Sequence, residues 1–225
     1  MTGSIPSEVG NAPRLETLRL ENNFFEGTLV TEIGMVTTLT DLNVGFNDFN
    51  QKIPSEVGNL KKLRFFVLSG NAFSGRVPRY VQKVTSKASR QILGLVSYHP
   101  CFTTRFWLTI PKFSCHFCNH SEVGRMDALE YLRFNENLLF GKIPSEYGLL
   151  WNLKEINVAT SGMGSFLPSE LSLLTGLERL ELGYNKFRGT LATELGLLTN
   201  LCKYNLSCYP STSMGLSCDD GGVAM

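Results

Sequence analysis

Three cysteines and three histidines crowd into one stretch of the chain: His99, Cys101, Cys115, His116, Cys118 and His120. Thiolate sulfur and imidazole nitrogen are zinc ligands, and Cys115-x-x-Cys118 is a spacing that can put two sulfurs on one metal. The other separations match no familiar zinc finger, so a single Cys-x-x-Cys is all that signal contains, and no metal is assigned. A second ionisable set, Glu8, Glu32, Glu56, Glu122, Glu146, Glu170 and Glu194, recurs along the chain. Paired carboxylates do acid and base work only where their surroundings push their pKa values apart. These glutamates hold one fixed place in a repeating pattern, so each has a similar setting and reads as scaffold. There is no glycine-rich phosphate loop followed by Lys and no His-Glu-x-x-His, and every histidine lies within 99–120. The residues point to binding, with no enzyme activity and no cofactor.

The pattern that holds the glutamates also organises the rest. Leu15, Leu18 and Leu20 return as Leu39, Leu42 and Val44, then as Leu63, Phe66 and Leu68, so LxxLxLxxN recurs every 24 residues. Counting the first of these leucines as position 1, the alternation across positions 4 to 6 is that of a short strand with one buried face. Each repeat is expected to supply one strand. Position 9 is Asn23, Asn47, Asn71, Asn137 and Asn185, a side chain able to satisfy backbone groups that the following turn would bury unpaired. Ser161 and Tyr209 break that column, and their turns are expected to be less well held. Position 11 is Phe25, Phe49, Phe73, Leu139, Met163 and Phe187, a second apolar column. Position 13 is glycine at 27, 75, 141 and 189, suiting a turn with unusual dihedrals, whereas Gln51 and Ser165 depart from it. Position 15 is apolar and often followed by proline, as at Pro54, Pro78, Pro144 and Pro168. Endings such as Gly148-Leu149-Leu150 suggest a short 3-10 turn rather than a long helix. No single repeat can cover its own apolar face, but six or seven stacked together bury a continuous core and align their strands in one parallel sheet.

One interruption divides the array. After Leu63 the next return falls at Leu129, 42 residues late, and the spacing of 24 then resumes at Leu153, Leu177 and Leu201. Removing 79–120 joins Val77-Pro78 to Ser121-Glu122-Val123-Gly124 and rebuilds the step seen at Ile53-Pro54-Ser55-Glu56-Val57-Gly58. The stretch holds six basic residues and no acidic one, so the chain's formal charge of +1 becomes −5 without it. Three readings fit: a translated intron or similar artefact of gene prediction, a non-repeat island with strands near 92–96 and 102–110, or the metal site above. The expected organisation is therefore repeats over 1–78, an insertion over 79–120, repeats over 121–207 and a cysteine-containing tail over 208–225. The chain opens in mid-repeat and reads as a fragment or an incomplete gene product. Its 43% hydrophobic content and near-neutral charge allow one substantial core and argue against nucleic-acid binding. No run of 18 apolar residues offers a membrane span, and the first residues lack the pattern of a signal peptide.

The string LxxLxLxxNxFxGxIPxExGxLxx resembles the 24-residue plant-type leucine-rich repeat. Residues 63–78, 129–146 and 177–189 match it closely, and seven registered occurrences carry the likeness over nearly everything outside the insertion. The resemblance implies an α/β right-handed solenoid with a parallel concave sheet and a short 3-10 or irregular convex side. It further implies recognition of a protein or peptide ligand by an extracellular or membrane-attached protein. Similar arrays form the outer regions of receptor-like kinases and receptor-like proteins, secreted inhibitors of cell-wall-degrading enzymes, and algal repeat proteins. Extracellular members often close with cysteine pairs, which would make Cys208 with Cys218 the first pair to test. Ordinary free thiols at Cys202, Cys208 and Cys218 fit the residues equally. Asn119-His120-Ser121 and Asn205-Leu206-Ser207 match the glycosylation triplet, a pattern frequent by chance.

On such a sheet the side chains at positions 3, 5, 7 and 8 face away from the core. The candidate ligand-binding residues are Phe46, Phe65, Val67, Tyr131, Arg133, Asn157, Arg179, Glu181 and Tyr184. Strands about 4.8 Å apart bring Phe46, Phe65, Val67, Tyr131 and Arg133 into one neighbourhood if the sheet order survives the insertion. Exposed aromatic residues beside arginine are typical interface anchors.

Overall fold

The computed structural model describes residues 1–79, 126–188 and 196–207. The chain divides into two units, Met1–Val81 with Gly124–Met225, and Gln82–Val123. The second unit lies outside the described residues, as do the Cys-x-x-Cys and its histidines, the strands expected near 92–96 and 102–110, Tyr209, and the proposed Cys208–Cys218 pair.

Positions 3 to 5 of each repeat form a strand. Thr17–Arg19, Asp41–Asn43, Phe65–Val67, Tyr131–Arg133, Glu155–Asn157, Arg179–Glu181 and Lys203–Asn205 lie side by side in chain order in one parallel sheet. Leu18 stands opposite Leu42, Leu42 opposite Phe66, Phe66 opposite Leu132, and Leu132 opposite Ile156. The ladder therefore continues across the interruption: the Leu68 N–H donates to the Arg133 carbonyl at 2.8 Å, and the Tyr131 N–H to the Arg64 carbonyl at 2.9 Å. Behind the sheet Leu39, Leu63, Leu129, Leu153 and Leu177 form one fully buried row, and Val44, Leu68 and Phe134 another. Each such side chain contributes about 1.5–3 kcal/mol relative to exposure, and only the neighbouring repeats can cover it.

The expectation of one strand per repeat is corrected. A second set of strands, Thr2–Gly3, Phe24–Gly27, Asp48–Lys52, Ala72–Arg76 and Leu138–Phe140, forms a five-stranded sheet behind position 9, and Gly164–Ser165 pairs separately with Lys186–Phe187. The reason is the alternation around position 11. In Leu138–Phe140 the middle residue is buried and its two neighbours are exposed, which is the pleat of a strand compressed into three residues. The position-11 rings stack as expected: those of the half-buried Phe25 and the buried Phe49 are 6.2 Å apart and those of Phe49 and Phe73 5.9 Å, all nearly parallel.

The asparagine column works on three strands at once. Asn71 donates from Nδ2 to the Leu68 carbonyl of its own repeat and the Val44 carbonyl of the repeat before, both at 3.0 Å, and its Oδ1 accepts the Phe49 N–H. Ser161 covers the donor half of that role, its hydroxyl reaching the Phe134 carbonyl at 2.9 Å. At position 13 the turn demands positive φ whatever the residue: Gly27, Gly75 and Gly141 adopt 84° to 90°, while Gln51 takes 68° and Ser165 107°. These two departures from glycine are local strain rather than a different turn.

On the convex side, 3-10 turns span Ser7–Asn11, Thr31–Met35, Ser55–Asn59, Ser145–Leu149 and Ser169–Leu173. Each starts directly behind a residue held near φ −70°, such as Pro54 at −68° or Pro144 at −62°, and so earlier than the Gly-Leu-Leu ending suggested. Gly34 and Gly148 lie within these turns with the backbone of Glu56 and Glu170 from the next repeat packed against them, leaving no room for a Cβ.

Candidate ligand-binding face

The concave strands are three residues long, so only positions 3 and 5 can present side chains from the sheet itself. Phe65 and Tyr131 occupy position 3 of adjacent strands and stand opposite one another in register. Their rings are parallel within 2° with centroids 4.8 Å apart. Arg64 lies 5.6 Å from the Phe65 centroid and Arg133 5.8 Å from that of Tyr131, each within cation–π range. Val67 stands opposite Arg133. Four of the expected site residues thus meet in the middle of the sheet.

Arg133 is also anchored. Its Nε and Nη2 donate to the two carboxylate oxygens of Glu155 at 2.7 and 2.8 Å, a bidentate pair, and Arg179 approaches the same carboxylate at 3.6 Å. Glu155 is 4% exposed. The Glu155 carboxylate holds the Arg133 guanidinium above its ordinary range. Arg19 and Asp41 make a related pair three strands before Tyr131–Arg133, with Nε and Nη2 both donating to Oδ2. Along the edge of the sheet Glu130 accepts from Arg64 at 2.6 Å and from Lys154 at 2.9 Å, bonds that hold its carboxyl below the usual range. These acids were not among the expected site residues. For Asp41 and Glu155 the signal was present: arginine at position 5 followed 22 residues later by an acid at position 3 of the next repeat.

Beyond Arg133 the sheet turns polar. Asn157 accepts its own repeat's Ala159 N–H at Oδ1, which directs Nδ2 away from the strand, and Asn43 and Asn205 make the same local bond. Glu181 is half-buried opposite Asn157. Tyr131, Arg133, Lys154, Glu155, Glu178, Arg179, Cys202 and Lys203 line an open recess of about 280 Å³ beside the aromatic pair. Four cations and two carboxylates thus surround a space large enough for one side chain or terminal group.

Position 8 adds a feature that the residue types conceal. Asn22, Phe46, Gly70, Glu136, Thr160 and Tyr184 all lie in the left-handed region, with φ between 53° and 64°. Only one of the six is glycine, so no glycine column announced the conformation. In Phe46 and Tyr184 this strained backbone carries large exposed rings, 50% and 44% accessible. Phe46 rests on Gly70, where a Cβ would stand 2.5 Å from the Phe46 ring. Phe46 therefore flanks the aromatic pair, whereas Tyr184 belongs to a repeat four strands further on, about 19 Å away at ordinary strand spacing. The structure brings the nine expected residues onto one face but gathers only the first five closely.

No protein-family profile matches the chain, and no curated protein matches it. Solved structures do. A TDR receptor is 31% identical with a TM-score of 0.71 over 92% of this chain and 29% of its own. The leucine-rich-repeat ectodomain of GASSHO1/SCHENGEN3 from Arabidopsis thaliana, in complex with CASPARIAN STRIP INTEGRITY FACTOR 2, is 25% identical with a TM-score of 0.67 over 89% of this chain and 19% of its own. A leucine-rich-repeat protein of Leptospira interrogans is 26% identical with a TM-score of 0.61 over 90% of this chain and 40% of its own. The chain has the leucine-rich-repeat solenoid fold of these structures and spans between about a fifth and two fifths of their lengths.

Proposed function

We propose that this chain, a leucine-rich-repeat solenoid resembling the ectodomains of plant membrane receptors, binds an extended peptide or a protein segment along its concave face. The observation that carries the reading is the stacked Phe65–Tyr131 pair beside the Glu155-anchored Arg133. Side chains held in place before a ligand arrives lose little freedom on binding, and aromatic residues with arginine dominate interface energetics. Asn157 offers Nδ2 to a peptide carbonyl, Arg179 and Glu181 supply charges of both signs, and Phe46 and Tyr184 mark the two ends of the contact. In this reading the repeats of 1–78 and 121–207 form one scaffold that 79–120 interrupts, and the protein is non-catalytic. Among the described residues no helix is long and apolar enough to cross a membrane.

The likeness to the ectodomain of a plant membrane receptor kinase favours a part of the sensing region of a larger receptor, displayed outside the cell. The test is a displayed-peptide selection against the intact chain, followed by titration of the recovered peptides. Tyr131→Ala, with unchanged circular dichroism, is expected to weaken them roughly thirtyfold, the scale of a binding hot spot, whereas Lys186→Ala on the outer sheet leaves them unaffected. Peptides that bind Tyr131→Ala and Phe65→Ala as tightly as the native chain overturn the proposal.

A further inference from the structure

The outer surface carries two charged rows that ligand binding on the concave face does not use. Position 14 of successive repeats is Lys52, Arg76 and Lys142, all exposed. The stems of the first two lie across the next repeat's glycine: a Cβ on Gly75 would stand 2.9 Å from Lys52 Cγ, and one on Gly141 3.3 Å from Arg76 Cγ. The charges are therefore held in a row flat against the second sheet. Phe166 continues the row at 71% exposure, and Phe140 lies beside it at 52%. Four residues further along each repeat a parallel row of carboxylates opens the 3-10 turns at Glu32, Glu56, Glu146 and Glu170. Glu146 pairs with Arg79 at 3.1 Å. Among the described residues no other member of either row has an ion-pair partner.

The two rows share one pitch, because the turns stack through Gly34 and Gly148 as closely as the strands do. Opposite charge at equal spacing is complementary to itself. A two-fold axis running along the rows lays Lys52 on the Glu56 of a second copy and Lys142 on its Glu146, with exposed phenylalanine at one end to exclude water. Interfaces of this kind, where one patch meets its own copy, are the commonest in homo-oligomers. We infer that this outer stripe is a docking surface for a second copy of the chain. Rows held flat and rigid suit a matching protein surface better than a lipid bilayer, which favours protruding apolar side chains.

Sedimentation velocity over a range of concentrations tests this. The native chain is expected to form dimers at low ionic strength, with the dissociation constant rising about tenfold or more in ~1 M salt, where screening shortens to ~3 Å. Lys52→Glu with Lys142→Glu, and separately Glu56→Lys with Glu146→Lys, should each give monomers of native circular dichroism. An equimolar mixture of the two should dimerise again, because reversed rows complement one another, and Phe140→Ser should weaken every dimer. A native chain that stays monomeric throughout overturns the inference, whether or not it sediments with anionic lipid vesicles. So does a mixture no more associated than its components. None of these variants touches the concave face, so peptide binding there can fail or succeed independently.

Discussion

Gly34→Ala is expected to destabilise the fold by about 3 kcal/mol, the upper range for forcing one extra carbon into a packed site. For a chain of this size that lowers the thermal midpoint by roughly 6–12 °C. The added Cβ would meet the carbonyl and Cβ of Glu56, atoms of the next turn's backbone and its rigid base rather than the end of a flexible side chain. Relief requires separating two stacked turns, and those turns bury Ile33, Val36, Val57 and Leu60 between the convex side and the sheet. The backbone at Gly34 is not in the left-handed region, so the cost is steric and owes nothing to dihedral strain. Gly196 provides the control, because a Cβ there would meet nothing within 4 Å. Gly196→Ala should be neutral or stabilising by up to about 1 kcal/mol, through lowered freedom of the unfolded chain. Paired thermal melts read both; a Gly34→Ala midpoint equal to that of Gly196→Ala would remove the claim that the turns stack through glycine.

Asn137→Ala should cost a similar amount through a different route. Asn137 is 5% exposed, donates to the Leu68 carbonyl at 3.0 Å and the Phe134 carbonyl at 3.1 Å, and accepts the Phe73 N–H at 3.0 Å. Truncation leaves the buried Phe73 N–H unpaired at the junction between the repeats on either side of the interruption, while the Leu68 and Phe134 carbonyls each lose one of two donors and keep Asn71 and Ser161. At about 1–3 kcal/mol for the one orphaned donor, with the weakened carbonyl bonds beside it, the loss is roughly 2–3 kcal/mol. Asn137→Ser should lose less, because Ser161 shows that a hydroxyl in this column still reaches the Phe134 carbonyl. Urea unfolding of the three proteins gives the ranking native, Ser, Ala; equal midpoints for Ser and Ala would mean that the donor half of the column contributes nothing.

These two predictions mark what could be read directly from residue order. The leucine, asparagine and phenylalanine columns were legible because each repeat puts the same side chain in the same environment, so burial writes itself as a period. Register across the interruption was legible for the same reason: Leu63 and Leu129 restart one pattern, and the sheet pairs Phe66 with Leu132. The second strand was not, because three residues around a buried Leu139 are too short to display an alternation. The left-handed column at position 8 was hidden by the residues that occupy it, since Phe46 and Tyr184 disfavour the conformation that the turn imposes. On the concave face, exposure of Tyr131 and Arg133 followed from spacing alone, but the anchoring of Arg133 did not. That contact joins position 5 of one repeat to position 3 of the next, and reading each column separately passes over a diagonal.

The arrangement also separates two roles for charge. The carboxylates of Asp41, Glu130 and Glu155 are largely buried and committed to arginine or lysine within the sheet, where they orient side chains. The glutamates of the convex turns repeat at one place per turn and point outward. In the proposed reading ligand specificity on the concave face rests on Phe65, Tyr131 and the groups they flank, and adding salt should weaken self-docking of the outer rows far more than binding at the aromatic pair.

The central claim is one sheet that runs unbroken past residues 79–120 and so sets Phe65 against Tyr131. Hydrogen exchange resolved to single amides tests it most directly. The Leu68 and Tyr131 amides, bonded across the interruption to Arg133 and Arg64, should exchange as slowly as the Val44 amide, which is bonded to Val67 within uninterrupted repeats. Exchange of Leu68 and Tyr131 at the rate of an open chain, with Val44 still protected, would mean that the repeats on the two sides do not join and that the proposed binding face does not exist.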